Sequence, residues 1–327
     1  MSRRLLAPLV ALAALLTACS SGGTPTPAAG GAYPVTVTHA FGSTTVSAAP
    51  TRIVTLGVTD ADAVLALGST PVALTGFAFY ASTGGLGPWA RPLVQGTPPV
   101  VLTSAQPDLE QIASLRPDLI LGISAGFDQT VYDKLAAIAP TVARPAGTVA
   151  YAVPRDVQTR TIAQVLGKGA EGEALIATAN TAYADAKAAN PAFEGRTGTV
   201  VLPYDGKYGA FTPGDGRGQV MADLGFELPA AVTALDTGTS FFIDVSPEQV
   251  GILDGDVLVM LADQPAARAA VDADPVLRQV PVVAQGRMVV PDLDTRGAMT
   301  YNSVLSVPYA IEHLVPQLAG AVAAAKD

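Results

Sequence analysis

PDLEQIASLRPDLILG, residues 107–122, is the stretch that decides the fold. It reads as a helix opened by Glu110-Gln111 and followed, after Arg116-Pro117-Asp118, by the strand Leu119-Ile120-Leu121. A short apolar run bounded by turn residues fits a strand covered on both faces. Towards the N-terminus, RIVTLG (52–57) is another such strand, DADAVLALG (60–68) a helix ending on Gly68, and PVALTG (71–76) a further strand. Towards the C-terminus, QTVYDKLAAIA (129–139) is a helix. Strands alternating with helices of this length predict a parallel sheet. Ahead of them, Val35–Thr38 and Thr44–Val46 flank Gly42-Ser43 as a small entry hairpin.

From Arg155 to Ala189 there is no strand signal. Ala, Leu, Ile, Gln, Glu and Lys dominate, with Gly167 and Gly169 as a weak point, so the segment is one long helix or two abutting ones. Asn190-Pro191 ends it. Alternation resumes with TGTVVLPY (197–204), GQVMADLG (218–225), PEQVGILDGDVLVM (247–260) and a closing pair of strands around Gln285-Gly286. A last helix runs from about Asn302 to Lys326. The opening stretch has an echo. Glu110-Gln111 precedes Asp118 as Glu248-Gln249 precedes Asp256, and each aspartate stands just before a buried strand. The echoes flank the helical segment, which predicts two related lobes.

The N-terminus carries a different message. Ser2-Arg3-Arg4 is basic, and Leu5–Leu16 is an apolar run broken by Pro8. It is shorter than the roughly 20 residues that span a bilayer, and a basic segment before a short apolar one reads as a secretory leader. Leu16-Thr17-Ala18-Cys19 resembles a bacterial lipobox, whose cysteine is acylated and becomes the new N-terminus. Cys19 is the sole cysteine, so no disulfide forms within the chain. Residues 20–32 are Ser, Gly, Thr, Pro and Ala, a flexible tether. The whole chain is 49% hydrophobic and 14% charged, enough for a sizeable core in the part that follows. Net charge is −9, or −11 once Arg3 and Arg4 leave with the leader. That sign disfavours nucleic acid and anionic lipid surfaces.

RIVTLGVTDADAVLALG (52–68), PDLEQIASLRPDLILG, the helical middle, PEQVGILDGDVLVM and VAQGRMVVPD (283–292) together resemble the class III periplasmic solute-binding proteins of ABC transporters. That family binds ferric siderophores, haem or cobalamin. The resemblance implies an α/β protein of two Rossmann-like lobes joined by a long rigid helix, with the ligand cleft between the lobes. Here the lobes are 33–153 and 191–327, with 154–190 linking them. It implies a monomeric binding protein and not an enzyme, lipid-anchored at Cys19 on the outer face of the cell membrane. It also implies small lobe closure. The family docks on arginines of its permease through one glutamate on each lobe. The matching positions are Glu110 and Glu248, and their carboxylates suit charge-assisted bonds to arginine.

Ligands of open α/β sheets sit beyond the carboxyl ends of strands. Lobe one offers Thr59 and Asp60, then Phe77, Phe79, Tyr80, Trp89 and Arg91 in the long Gly/Pro-rich loop 76–99, the kind of loop that binds. Lobe two offers Tyr204, Tyr208 and Phe211, then the turn Gly214–Gly218 with Arg217, and then Phe241, Phe242, Arg296 and Tyr301. By the resemblance, Arg217 occupies the place of an arginine that meets siderophore oxygens. The only histidines are His39 and His313, too few for a bare transition-metal site, so no metal or cofactor of the protein's own is expected. Aromatics with arginine fit a large, oxygen-rich ferric siderophore. Haem, with a tyrosine as axial ligand, and cobalamin remain alternatives. Gly122-Ile123-Ser124-Ala125-Gly126 has the form of a hydrolase nucleophile elbow. Its only downstream histidine is His313, in a helical segment, so the turn reads as a strand end at the cleft.

Overall fold

Asp118 and Asp256, the acids of the echo, have the same role in two separate sheets. The Asp118 carboxylate accepts from Thr51 N, Thr51 Oγ1 and Arg52 N, all at 2.8 Å. Asp256 accepts from Thr197 N at 2.8 Å and Thr197 Oγ1 at 3.1 Å, and pairs with Arg196 at 2.9 Å. Each acid stands before a central strand and pins the lead-in to the neighbouring parallel strand. The echo is therefore a repeated device for setting register. The structure, a computed structural model, describes residues 33–104 and 106–325; the leader, Cys19 and the tether lie outside these residues.

A hairpin of β1 (Val35–His39) and β2 (Gly42–Val46) comes first. Its turn falls on Ala40-Phe41 and not on Gly42-Ser43, because His39 pairs with Gly42 and Phe41 N donates to His39 Nδ1. The first lobe follows: β3 (Ile53–Thr55), α1 (Asp60–Ala66), β4 (Ala73–Leu74), β5 (Val100–Val101), α2 (Leu109–Ser114), β6 (Leu119–Gly122), α3 (Gln129–Ala136) and β7 (Thr141–Ala143). Its sheet is all parallel in the order β5-β4-β3-β6-β7. β3 and β6 are buried throughout, with apolar clusters on both faces of the sheet.

The linking segment takes the second of the two forms open in the sequence. α4 (Arg155–Val165) and α5 (Gly169–Ala189) meet at Gly167, whose φ of 67° needs glycine. They fold back antiparallel, with Arg160 paired to Glu173 at 2.6 Å and Arg155 to Asn180 at 2.7 Å. α4 packs on α1 of the first lobe, while α5, the long helix, packs on the C-terminal helix of the second.

The second lobe holds β8 (Gly198–Tyr204), β9 (Lys207–Phe211), α6 (Gly216–Asp223), α7 (Ala230–Thr233), β10 (Phe242–Val245), β11 (Val257–Met260), α8 (Pro265–Ala273), α9 (Pro281–Ala284), β12 (Met288–Val289), α10 (Leu293–Tyr301) and α11 (Ser306–Ala324). Its sheet is mixed, in the order β10-β9-β8-β11-β12: β8, β11 and β12 run parallel, and β9 runs antiparallel to both of its neighbours, β8 and β10. The reversal comes from Asp205-Gly206, with φ of 45° and 71°, a two-residue hairpin turn that matches strand twist. The closing strand pair is not formed. Val282 N donates to the Asp254 carboxylate at 2.9 Å, Pro281 starts a short helix, and only Met288-Val289 joins the sheet. The last helix begins at Ser306, because Asn302, at φ 39°, ends α10.

Candidate functional site

The lobes meet through the loop 77–91 and the helix α10. Tyr80, buried, donates to Asp294 at 3.0 Å. Tyr301, also buried, donates to the carbonyl of Gly85 at 2.8 Å. Trp89 donates its indole N–H to Asp62 at 2.7 Å, and the same carboxylate oxygen accepts from Ser303 of the second lobe. Trp89 also meets Tyr301 and Tyr309 at 5.5 and 5.6 Å between ring centroids. Aromatic rings thus form a packed wall behind the cleft, in which the polar tips of Tyr80, Trp89 and Tyr301 each find a partner.

Asp62 is fully buried, and its Oδ1 has no partner. Burial pushes its carboxyl up to about 6, against the bonds from Ser303 and Trp89. The folded pKa lies above the unfolded one, so the stability this group contributes is full below pH ~4 and is lost as pH rises through 6, by about 3 kcal/mol. Asp62→Asn keeps the acceptor for both donors and removes the titration. Urea unfolding followed by Trp89 fluorescence should show the variant gaining on wild type as pH goes from 5 to 7.5; a constant difference would refute this titration.

Two joined cavities open in front of this wall. One, of about 330 Å³, lies over the strand ends of the first lobe, lined by Leu56, Phe77, Ala81, Leu102, Asp108 and Phe127 among others. The second, of about 320 Å³, lies between the lobes, with Thr59, Ser124, Val153, Arg155 and Gln158 facing Asp215, Arg217, Phe241, Tyr301 and Asn302. Val58, Phe77 and Tyr151 border both. Beneath the floor the buried Asp60 accepts from Ile123 N at 2.8 Å, Ser124 N at 3.0 Å and Gln158 Nε2 at 2.6 Å. It thereby ties the Gly122–Gly126 turn to α4. Burial raises the Asp60 pKa, while these donors lower it.

Of the residues singled out in the sequence as ligand contacts, the cleft brings together Thr59, Phe77, Arg217, Phe241 and Tyr301. The others lie elsewhere, for definite reasons. Tyr80 and Trp89 are spent in the wall between the lobes. Arg91 is exposed in the short 3-10 helix Arg91–Leu93. Arg296 pairs with Asp263 and lies over Phe79, 4.9 Å from its ring centroid. Tyr204 packs edge-on to Phe242 at 5.8 Å, and Tyr208 is a core residue bonded to Asp274 at 2.6 Å. The β8–β9 turn reverses the chain there, so the second lobe reaches the cleft only after β9, at Asp215–Arg217. Glu110 and Glu248 are both exposed, on α2 and on the 3-10 helix Pro247–Leu253. Ser124 borders the cleft, but His313 lies on α11, stacked on Tyr309 at 4.0 Å, and does not face the serine.

The sequence reading missed Tyr151, Arg155, Gln158 and Asn302. Tyr151 has φ 63°, is 48% exposed, and crosses the cleft to Phe241 at 6.4 Å. Its ring lies where a Cβ on Gly126 would fall, so glycine there makes its seat. A tyrosine in this left-handed conformation is uncommon, and residues held in such conformations cluster at functional sites. No local pattern in the sequence exposed it.

The profile of the family described as Periplasmic binding protein matches residues 53–294. The Fe(3+)-citrate-binding protein of Bacillus subtilis is 30% identical over 257 residues, 78% of this chain and 77% of that protein. A periplasmic solute-binding protein of Mycobacterium smegmatis superposes with a TM-score of 0.76 at 32% identity, covering 88% of this chain and 98% of that one. A Streptococcus pneumoniae protein solved with ferrichrome has the same fold, with a TM-score of 0.76 at 23% identity, over 89% of this chain and 99% of that one.

Proposed function

Because the chain belongs to the periplasmic binding protein family, we propose that it captures a ferric chelate outside the cell membrane and hands it to the permease of an ABC importer. The cleft carries this reading. Phe77, Tyr151, Phe241 and Tyr301 present ring surface from both lobes, and Arg155 and Arg217 stand among them. A preformed concavity that offers ring surface with polar groups set between the rings suits a bulky small-molecule ligand with an oxygen-rich exterior. The B. subtilis relative binds ferric citrate, which puts an iron chelate first. Haem and cobalamin are not favoured by the relatives. Among the described residues, moreover, no histidine borders the cleft.

The remaining assignments belong to this same proposal. Lobes 33–153 and 191–327 flank the segment 154–190; Glu110 and Glu248 meet arginines of the permease; Cys19 holds the protein to the membrane; and the protein works as a monomer. Titration of the purified protein with ferric chelates, followed by Trp89 fluorescence, is the test. Trp89 touches Tyr301 at the cleft wall, so a ferric chelate seated there quenches it. Saturable quenching by an iron-loaded chelate, and none by its iron-free form, is the expected result. No saturation with any of them, by fluorescence or by calorimetry, would overturn the proposal.

A further inference from the structure

Resting on the iron-chelate reading, we infer that the cleft selects an electrically neutral chelate, a ferric tris-hydroxamate, over polyanionic citrate or catecholate complexes. Two arginines and two aspartates border the cleft among the described residues, and no lysine does. Both arginines are already neutralised by this chain. Arg217 gives Nε and Nη2 to the two oxygens of Asp215, at 2.7 and 2.8 Å, and its guanidinium lies 3.6 Å from the centroid of Phe211. Asp215 is 4% exposed, so this pairing is shielded from water. Arg155 gives Nε to Asp156 at 3.0 Å, Nη2 to Asn180 at 2.7 Å, and Nη1 to Asn302 at 3.2 Å with Asp223 at 3.5 Å. Arg91 and Arg296 lie outside the cavities, and Arg296 has its own aspartate.

A polyanion entering this space finds no uncompensated cation to replace its lost hydration, and it meets the Asp108 carboxylate on the wall. A ferric tris-hydroxamate carries no net charge, because three monoanionic hydroxamates balance Fe(III). Its outer oxygens need only N–H donors, such as the uncommitted Nη1 of Arg217, and its backbone suits the rings of Phe77, Tyr151 and Phe241.

The test compares ferrichrome (neutral), ferric dicitrate and a ferric tris-catecholate by calorimetry, on the wild-type protein and on Asp215→Asn. Asparagine keeps the helix cap that Asp215 gives to Arg217 N while freeing the arginine's charge. Wild-type protein is expected to bind ferrichrome at least ~30-fold more tightly than either anion, a gap of about 2 kcal/mol. That affinity is expected to be unchanged at about 0.5 M salt, where exposed charges are screened. Asp215→Asn is expected to move the anion-to-neutral ratio about tenfold towards the anions. Tighter binding of an anion to wild type, or a ratio that Asp215→Asn leaves in place, would overturn the inference and leave the iron-chelate reading standing. Binding of none of the three would overturn that reading itself.

Discussion

Replacing Glu110 and Glu248 together with alanine is expected to stop uptake of the ferric chelate while its affinity for the purified protein stays within about a factor of two, as separate sites behave. Both side chains are exposed, and neither borders the cavities. Each opens a helical turn, Glu110 in α2 and Glu248 in the 3-10 helix before β11, so the pair marks corresponding places on the two lobes. A hydrogen bond to a charged partner contributes about 1.5–3 kcal/mol, so losing two weakens docking at least ~100-fold. Uptake of radioiron as its chelate by cells carrying the variant, set beside calorimetry on the isolated protein, reads both quantities. Unchanged uptake would remove these residues from docking. Lost affinity would show that they act on the lobes themselves.

Arg155→Met is expected to lower stability by about 3–5 kcal/mol, the effect of stripping the partner from buried charge. Arg155 is 5% exposed and joins four elements: Asp156 on α4, Asn180 on α5, Asp223 on α6 and Asn302 at the end of α10. Its guanidinium also lies 5.2 Å from the centroid of Tyr183. Methionine fills the apolar part of that space but leaves the acceptors around it unmet. Asp223 is raised mainly by burial and lowered by Arg155, so in the variant it rises further and the deficit narrows as acid protonates it. Urea unfolding at pH 7 and pH 5 measures both effects. A loss below about 1 kcal/mol would mean that water takes the arginine's place.

The elements that were legible in the sequence are those whose signal is local. β3, β6 and α1 read directly, since apolar runs and helix stops need no distant partner. The echo of Asp118 and Asp256 was visible too, and the structure supplies its cause in the lead-in strands at Arg52 and Thr197. Asp205-Gly206 carried a hairpin signal that went unread, and with it the direction of β9; Tyr204 and Tyr208 were misplaced as a result. Val282-Val283 looked like a strand, but Asp254 and Pro281 capped it as a helix. The site was less legible because its members come from distant parts of the chain. Arg217 and Phe241 stood beside recognisable turns, whereas Tyr151 is defined by a positive φ and a facing Gly126, which only the fold brings together. Tyr80 and Trp89 had the right chemistry for a ligand, yet Asp294 and Asp62 claimed them.

The wall of Tyr80, Trp89 and Tyr301 bears on how long a captured molecule stays. Swinging the lobes apart would break Tyr301 from Gly85, Tyr80 from Asp294 and Ser303 from Asp62 together, so these contacts resist opening as a set. A cargo held behind Tyr151 and Phe241 is then expected to leave the free receptor slowly. Unloading is then expected to depend on the transporter, whose docking would supply the work of prising the lobes apart.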